Sequence, residues 1–253
     1  MTKELTIAHL YPELLNIYGD YGNILTIKKR CEARNIKCNV EQIKAGENIN
    51  PEKYDIFFIG GGQDKQQIEV SKELQKQKDA LTDAAEQYRV FLGICGGYQL
   101  LGRHYLPHDG EKLEGISLLD VYTVAGNKRF IGNVTAESDF LTPKTLVGFE
   151  NHAGLTYLEE GTVPIASVTV GNGNNGKDKT EGARKKNVFG TYLHGSVLPK
   201  NPHFADFLTA LALNAKYENG KDKFSPEFFD EFLPKIDDDI EFRTHFSLVG
   251  KSY

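Results

Sequence analysis

Val90-Phe91-Leu92-Gly93-Ile94-Cys95-Gly96-Gly97-Tyr98-Gln99-Leu100-Leu101-Gly102 is the stretch on which the reading of this chain turns. Val90–Ile94 is an unbroken apolar run of the length expected for a strand buried on both faces. It ends at a cysteine set among glycines, and Gly96–Leu101 then begins a helix. A strand that turns sharply into a helix leaves little room near the turning residue, so its neighbours must be small. Gly93, Gly96 and Gly97 meet that demand. This is the cysteine form of a nucleophile elbow. The free N–H groups and the dipole of a helix start favour a thiolate there, and the Gly96 amide is placed to stabilise an oxyanion. A free cysteine in an apolar strand is more often a small buried hydrophobe. Cys31 and Cys38 are read in that way. Cys95 is not, because it ends its strand and is wrapped in glycines.

Outward from the elbow, strand-like and helix-like segments alternate. Leu5–Leu10, Lys37–Gln42 and Tyr54–Ile59 read as strands, while Ile24–Arg34 and Glu69–Tyr88 read as helices, with Asp20–Asn23 as a turn. Such alternation predicts an α/β fold built on an open, mostly parallel sheet with helices on both faces. Residues 113–170 are β-leaning, in Leu118–Val124, Ile131–Val134 and Ile165–Val170, and predict partly antiparallel strands that extend the sheet. The Gly- and Asn-rich segment Gly171–Asn187 reads as a mobile hairpin tip or loop with little direct function. Val188–Leu193 is a strand ending at His194. Asn201–Ala215 is a helix that Asn201 can cap, with Pro202 in its first turn. Residues 1–215 are expected to form one domain. Residues 216–253, aromatic and acidic, are expected to be a C-terminal extension, either a docked helix or a partner-binding tail.

A cysteine nucleophile needs a base. Of seven histidines, His194 has the best context, because it closes a strand, and strand ends of open parallel sheets gather catalytic groups. His152, in Phe149-Glu150-Asn151-His152-Ala153-Gly154, is second. The glycines after Tyr54–Ile59, Gly60-Gly61-Gly62, match no phosphate-loop pattern. They suit either a tight turn or the second half of an oxyanion hole.

Composition narrows the classes further. The formal net charge is −5 with no long basic run, which argues against nucleic-acid binding. Three cysteines without a CxxC pair indicate neither a disulfide framework nor a zinc site, and no metal is expected. No stretch approaches the roughly 20 apolar residues of a spanning helix, and the N-terminus does not read as a leader. A cytoplasmic protein is expected.

The segments GICGGYQLLG, FFIGGGQD and GTYLHGSVLPKNP resemble class I glutamine amidotransferase domains, and within them the CobB/CobQ-like branch. LYPELLNIYGDYGN, GNKRFIGN, VGFENHAG and GNGNNGKDKTEG are similar to the glutaminase subunits of lipid II isoglutaminyl synthases. The resemblance spans residues 5 to about 214. It implies a flavodoxin-like sheet and hydrolysis of L-glutamine through a Cys95 thioester, with His194 moving the protons. It implies oxyanion-hole amides from Gly62 and Gly96, and substrate binding by Arg129, Gln99 and Gly61. Asn151 and His152 are possible further contributors. It implies no cofactor in this chain. ATP and Mg would be used by a Mur-ligase-like partner, in a heterodimer, to amidate the D-glutamate α-carboxyl of lipid II during peptidoglycan synthesis. That acceptor would place the protein near the inner face of the membrane.

One departure stands out. Many class I amidotransferases carry H-x-E, where the acid orients the histidine. Here the residues are His194-Gly195-Ser196. The expectation is a Cys–His dyad, or an acid supplied from elsewhere, such as a partner subunit. Three competing readings remain at this level. One is a γ-glutamyl or peptidase-type hydrolase of the same fold. Another is a cobalamin-type amidase, which usually carries a fused ATP-binding domain. The last is a non-catalytic scaffold, against which intact Cys95 and His194 argue.

Overall fold

The computed structural model describes residues 3–218 and 233–250. Its first sheet holds β1 (Glu4–Leu10), β2 (Lys37–Ile43), β3 (Ile56–Ile59), β4 (Val90–Ile94), β11 (Ala183–Lys185) and β12 (Val188–Thr191). The order is β11-β12-β4-β3-β1-β2, and every pair is parallel except β11 with β12. The parallel part is therefore a doubly wound sheet whose chain order reverses between β1 and β3. Strands β3, β4 and β12 are buried along their whole length, as expected of a sheet covered on both faces. Phe57 of β3 stacks on Phe91 of β4 at 4.6 Å, and Phe189 of β12 meets Phe204 of the covering helix α6 (Pro202–Tyr217). Each such side chain contributes about 1.5–3 kcal/mol through burial.

Helix α1 (Tyr21–Glu32) packs against α6 and against the short α5 (Val197–Lys200). The expected single helix at 69–88 is two, α2 (Asp64–Lys76) and α3 (Lys78–Glu86). The chain leaves helical geometry at Gln77 (φ −105°, ψ 4°), whose side chain accepts from the Ile49 amide. Neither Gly nor Pro marks that break, so the sequence pattern runs through it. Short α4 (Gly96–Leu101) follows the elbow.

The β-leaning middle does not extend the first sheet. It forms a second one: β5 (His104–Leu106), β6 (Leu113–Glu114), β7 (Val121–Glu137), β9 (Ala166–Val170) and β10 (Thr180–Glu181), ordered β10-β9-β7-β5-β6, with β8 (Thr145–Leu158) on β7. The physical reason is burial. Much of β8 alternates between buried and partly exposed positions, so the strand has one covered face and needs its own layer. The register of β7 against β8 shifts between Ala125 and Phe130. A bridge between Phe149 and His194 joins the two sheets.

Gly171–Asn187 is not a hairpin tip. Asn174 is fully buried, and Asn175 nearly so. The Asn172 and Gly173 amides donate to the buried Glu150 carboxylate, and Asn174 Nδ2 donates to Thr180 Oγ1 and Gly182 O. Asn175 Nδ2 donates to Thr156 O, and Tyr98 Oη of α4 donates to Asn174 Oδ1. Gly173 (φ +64°) lets the chain pass where a Cβ would lie 2.3 Å from Thr180 O. Polar side chains here replace water as partners of the backbone, and the loop buttresses α4 and β8.

Asn201 does not cap α6 with its side chain. It instead bonds Val147 N and O and Val197 O, tying β8 to α5. Residues 219–232 and 251–253 of the expected extension lie outside the described residues. Helix α7 (Asp239–Leu248) packs on α5 and α6. Its buried His245 bonds Thr145 Oγ1 and Lys200 O. Arg30 reaches both Asp206 and Asp238.

Candidate active site

Strands β12, β4, β3 and β1 are consecutive neighbours, and the residue carrying chemistry follows the C-terminal end of each. His194 follows β12, Cys95 follows β4, Gly60-Gly61-Gly62 follows β3, and Asp20 lies beyond β1. The pairings Thr191↔Ile94, Ile59↔Gly93 and Leu10↔Ile59 keep these ends nearly level. Four segments remote in sequence thus meet at one edge, next to the switch point.

Cys95 sits at φ 50°, ψ −103°, a conformation that strains any residue with a Cβ. The neighbours hold it there. Its amide donates to Thr191 O, Gln99 N donates to its carbonyl, and Gly97 N donates to Gly60 O. At Gly97 an added Cβ would lie 2.4 Å from Ile59 O and 2.8 Å from Gly60 O. Gly97→Ala is therefore expected to destabilise the fold by about 2 kcal/mol, lowering Tm by roughly 4–8 °C. Differential scanning fluorimetry reads this directly, and an unchanged Tm would contradict the close packing of elbow on β3.

The amide nitrogen of Gly62 lies 3.2 Å from where a Cβ on Gly96 would stand, so the two glycines face each other across the elbow. Gln67 of α2 holds this arrangement, its Nε2 donating to Gly62 O. Gly61 differs from expectation. Its amide donates to Asp20 Oδ2 at 2.6 Å and its carbonyl accepts from Ile17 N. Both backbone groups are used inside the protein, so Gly61 serves its loop and not a ligand.

His194 is buried, and its Nδ1 lies 3.8 Å from Asp20 Oδ1, also buried. Burial works against its charged form, but Asp20 and the Cys95 sulfur outweigh that, and the imidazole is pushed up to about 9. The site thus favours an imidazolium beside the sulfur. The carboxylate facing His194 belongs to this chain, whereas the sequence leaves open a dyad or an acid from elsewhere, such as a partner subunit. Behind the strand, Glu181 accepts from Thr191 Oγ1 at 2.5 Å and from Tyr192 N at 3.0 Å. Burial raises this carboxyl to about 7.

A cavity of about 720 Å³ opens over the sulfur, lined by Cys95, Gly62, Gln99, Arg129, Asn151 and His152 among others. Six of the nine residues expected at the site meet there; Gly96 and His194 abut it through Gly62 and Cys95, and Gly61 is turned inward. Gln99 Nε2 donates to Tyr192 Oη, leaving its buried Oε1 without a partner in the chain among the described residues. His152 stacks on Tyr192 at 3.6 Å, and its Nδ1 pairs with Gly154 O. Burial lowers it to about 4, so it is neutral, with Nε2 as an acceptor. That makes it a poor base for Cys95 and a good partner for a donor. Arg129 Nε donates to Asn151 Oδ1 at 2.6 Å, which holds the guanidinium at the rim.

Sequence reasoning missed Asp20, Gln67, Tyr192 and Glu181. Asp20 lay in LYPELLNIYGDYGN, where it read as a turn residue, Glu181 in GNGNNGKDKTEG and Tyr192 in GTYLHGSVLPKNP; only Gln67 lay outside the segments already singled out. Chemically the arrangement suits acyl transfer from an amide. It offers a sulfur nucleophile, two amides for an oxyanion, and a histidine able to protonate a leaving nitrogen.

Residues 6–202 match the family model for the CobB/CobQ-like glutamine amidotransferase domain. The chain is 48% identical over 213 residues to the lipid II isoglutaminyl synthase (glutamine-hydrolyzing) subunit GatD of Staphylococcus aureus, covering 84% of this chain and 86% of that one. It is 38% identical over 248 residues to the subunit of the same name from Streptococcus pneumoniae, covering 96% and 94%. A glutamine amidotransferase from Thermotoga maritima shares the fold, with a TM-score of 0.55 at 16% identity over 96% of this chain and 93% of that one. On this likeness, and with an acyl-transfer site at the sheet edge, the chain belongs to the CobB/CobQ-like glutamine amidotransferase family and is a glutamine-hydrolysing enzyme.

Proposed function

We propose that this chain is the glutaminase subunit of an enzyme that amidates the D-glutamate α-carboxyl of lipid II, and that Cys95 and His194 perform the hydrolysis. In the first half-reaction the Cys95 sulfur attacks the side-chain carbonyl carbon of glutamine. The developing oxyanion is held by the Gly62 and Gly96 amides. As the C–N bond breaks, His194 gives its proton to the leaving nitrogen, and ammonia departs from a γ-glutamyl thioester. In the second half, His194 takes a proton from water as the oxygen attacks the thioester carbon. Glutamate leaves and the thiol is restored. The observation that carries this reading is the meeting of nucleophile, base and oxyanion loop at adjacent strand ends.

Recognition of the free amino-acid end falls to the cavity wall. The Arg129 guanidinium suits the α-carboxylate, which it can grip with two N–H groups. Gln99 Oε1 and His152 Nε2 are buried acceptors suited to the α-ammonium. Arg129→Ala is expected to raise KM for glutamine about 10- to 100-fold with kcat changed less, the signature of lost ground-state binding. A fall in kcat at constant KM would place Arg129 elsewhere in the reaction.

Ammonia would pass to a Mur-ligase-like subunit that uses ATP and Mg, in a heterodimer. The names of the Staphylococcus and Streptococcus relatives support the acceptor and the existence of a second subunit. Among the described residues no helix is long and apolar enough to cross a membrane. A cytoplasmic site near the inner membrane face suits the lipid-linked acceptor. The test supplies the co-purified complex with amide-¹⁵N glutamine, ATP, Mg and lipid II. Label on the D-glutamate α-carboxyl is expected. Glutamate release with unlabelled lipid II would favour the plain hydrolase reading.

A further inference from the structure

We propose that Glu181 is a positioning residue of the glutamine site: its carboxyl oxygen fixes the backbone that carries Tyr192, and Tyr192 aligns the two acceptors, Gln99 and His152, that meet the amino-acid end of the substrate. This deepens the glutaminase reading and rests on it. Tyr192 and Leu193 lie between the end of β12 and His194, outside any strand, and both are buried. Backbone amides buried there have no ladder to join and need other partners. Glu181, fully buried in β10 of the second sheet, meets that need. Its Oε1 accepts from Tyr192 N at 3.0 Å and from Thr191 Oγ1 at 2.5 Å, and Thr191 Oγ1 accepts in turn from Leu193 N at 3.0 Å. Gly182 permits the approach, since a Cβ there would lie 2.5 Å from Gly190 O of β12.

From that backbone the Tyr192 side chain reaches the cavity wall. Its ring carries His152, stacked at 3.6 Å, and its Oη accepts from Gln99 Nε2 at 3.1 Å and pairs with Thr156 Oγ1 at 2.6 Å. Gln99 Oε1 and His152 Nε2 are thereby left as acceptors without a partner among the described residues. There is little slack. A Cβ on Gly154 would lie 2.4 Å from Gln99 Nε2 and 3.0 Å from Tyr192 Oη, so a shift of Tyr192 carries both acceptors with it. The acceptor oxygen of Glu181 matters here, and not its charge. No Lys or Arg pairs with it among the described residues, and burial beside the Glu150 carboxylate raises it to about 7. Near neutral pH it exists in both forms, and with a proton on the unpartnered Oε2 it still offers Oε1 to Tyr192 N.

The test is a double-mutant cycle on the full chain, alone and in complex with the partner subunit. Glu181→Gln keeps an acceptor oxygen and is expected to leave kcat and KM for glutamine within about threefold of wild type. Glu181→Ala removes the acceptor and is expected to raise KM about 10- to 30-fold with kcat changed less. Tyr192→Phe, which releases Gln99 and Thr156, is expected to raise KM about as much. Both act through one platform, so the double variant Glu181→Ala/Tyr192→Phe is expected to stay near about 30-fold, where independent losses would multiply to roughly 100-fold or more. Ile165→Ala opens a cavity beside the same turn without touching a polar group, and reports the effect of lost packing alone. If Glu181→Ala does not fold, Thr191→Val takes its place in the cycle, because it cuts the link to Leu193 N while leaving the carboxyl in place. Calorimetric glutamine binding in a Cys95→Ala background reads the same cycle without chemistry. A protein that neither binds nor hydrolyses glutamine would sink the glutaminase reading, and this proposal with it. Where glutamine is bound, the proposal stands if KM or Kd rises in Glu181→Ala, is kept in Glu181→Gln and rises no further in the double variant. It alone is overturned if the two losses multiply, if Ile165→Ala raises KM as far, or if Glu181→Gln lowers kcat about tenfold or more, which would assign the carboxylate's effect to its charge.

Discussion

Cys95→Ala is expected to abolish glutamine hydrolysis, with kcat falling by about 10⁴-fold or more, in the isolated chain and in any complex. Removing the sulfur removes the thioester route, and nothing nearby can replace it. Cys31 is fully buried in α1 and pairs with Cys38 of β2, at the outer edge of the sheet, away from the cavity. What remains is a binding cavity with two oxyanion amides, so glutamine affinity should be nearly kept. The check is glutamate release together with calorimetric glutamine binding. The fold gives a reason to expect a well-ordered variant, since alanine also has a single Cβ at the strained φ of 50°. Residual turnover within tenfold of wild type would mean that chemistry does not pass through this sulfur.

His194→Ala should cost nearly as much, about 10³- to 10⁶-fold in kcat, because nucleophile and base act as a unit and their losses are not additive. The double variant Cys95→Ala/His194→Ala is accordingly expected to be no worse than either single one. His152 cannot take over, being neutral, locked to Gly154 O and stacked on Tyr192. A second consequence separates this from a packing defect. Without the imidazolium beside it, the Cys95 sulfur should react with iodoacetamide more slowly at neutral pH. Unchanged alkylation with lost turnover would assign His194 to the leaving-group step alone.

How much of this was legible in the residues depends on the range of the contacts. The elbow was, because Cys95 and its glycines are local: strand, turn and helix start lie within a dozen residues. His194 was legible as a strand end. The parallel sheet followed from continuous apolar runs such as Ile56–Ile59. What failed was long-range. Gly171–Asn187 has the composition of a solvated loop, yet its polarity is spent on Glu150, Tyr98 and Thr156, which no local pattern announces. The same holds for the second sheet, whose strands look like extensions of the first until their one-sided burial is seen. Asp20 is the sharpest case. The H-x-E pattern searches two residues from the histidine, whereas the carboxylate facing His194 comes from 174 positions earlier in the chain, beyond a different strand. Only the order β12-β4-β3-β1 brings the two together.

The most direct test of the account is covalent. 6-Diazo-5-oxo-L-norleucine, a glutamine analogue that alkylates a nucleophile positioned at the amide carbon, is incubated with the wild-type protein, and the adduct is mapped by peptide mass spectrometry. The account predicts one adduct, on Cys95, prevented by excess glutamine and absent in Cys95→Ala. An adduct on another residue, or unimpaired glutamine hydrolysis after Cys95 is fully labelled, would contradict it.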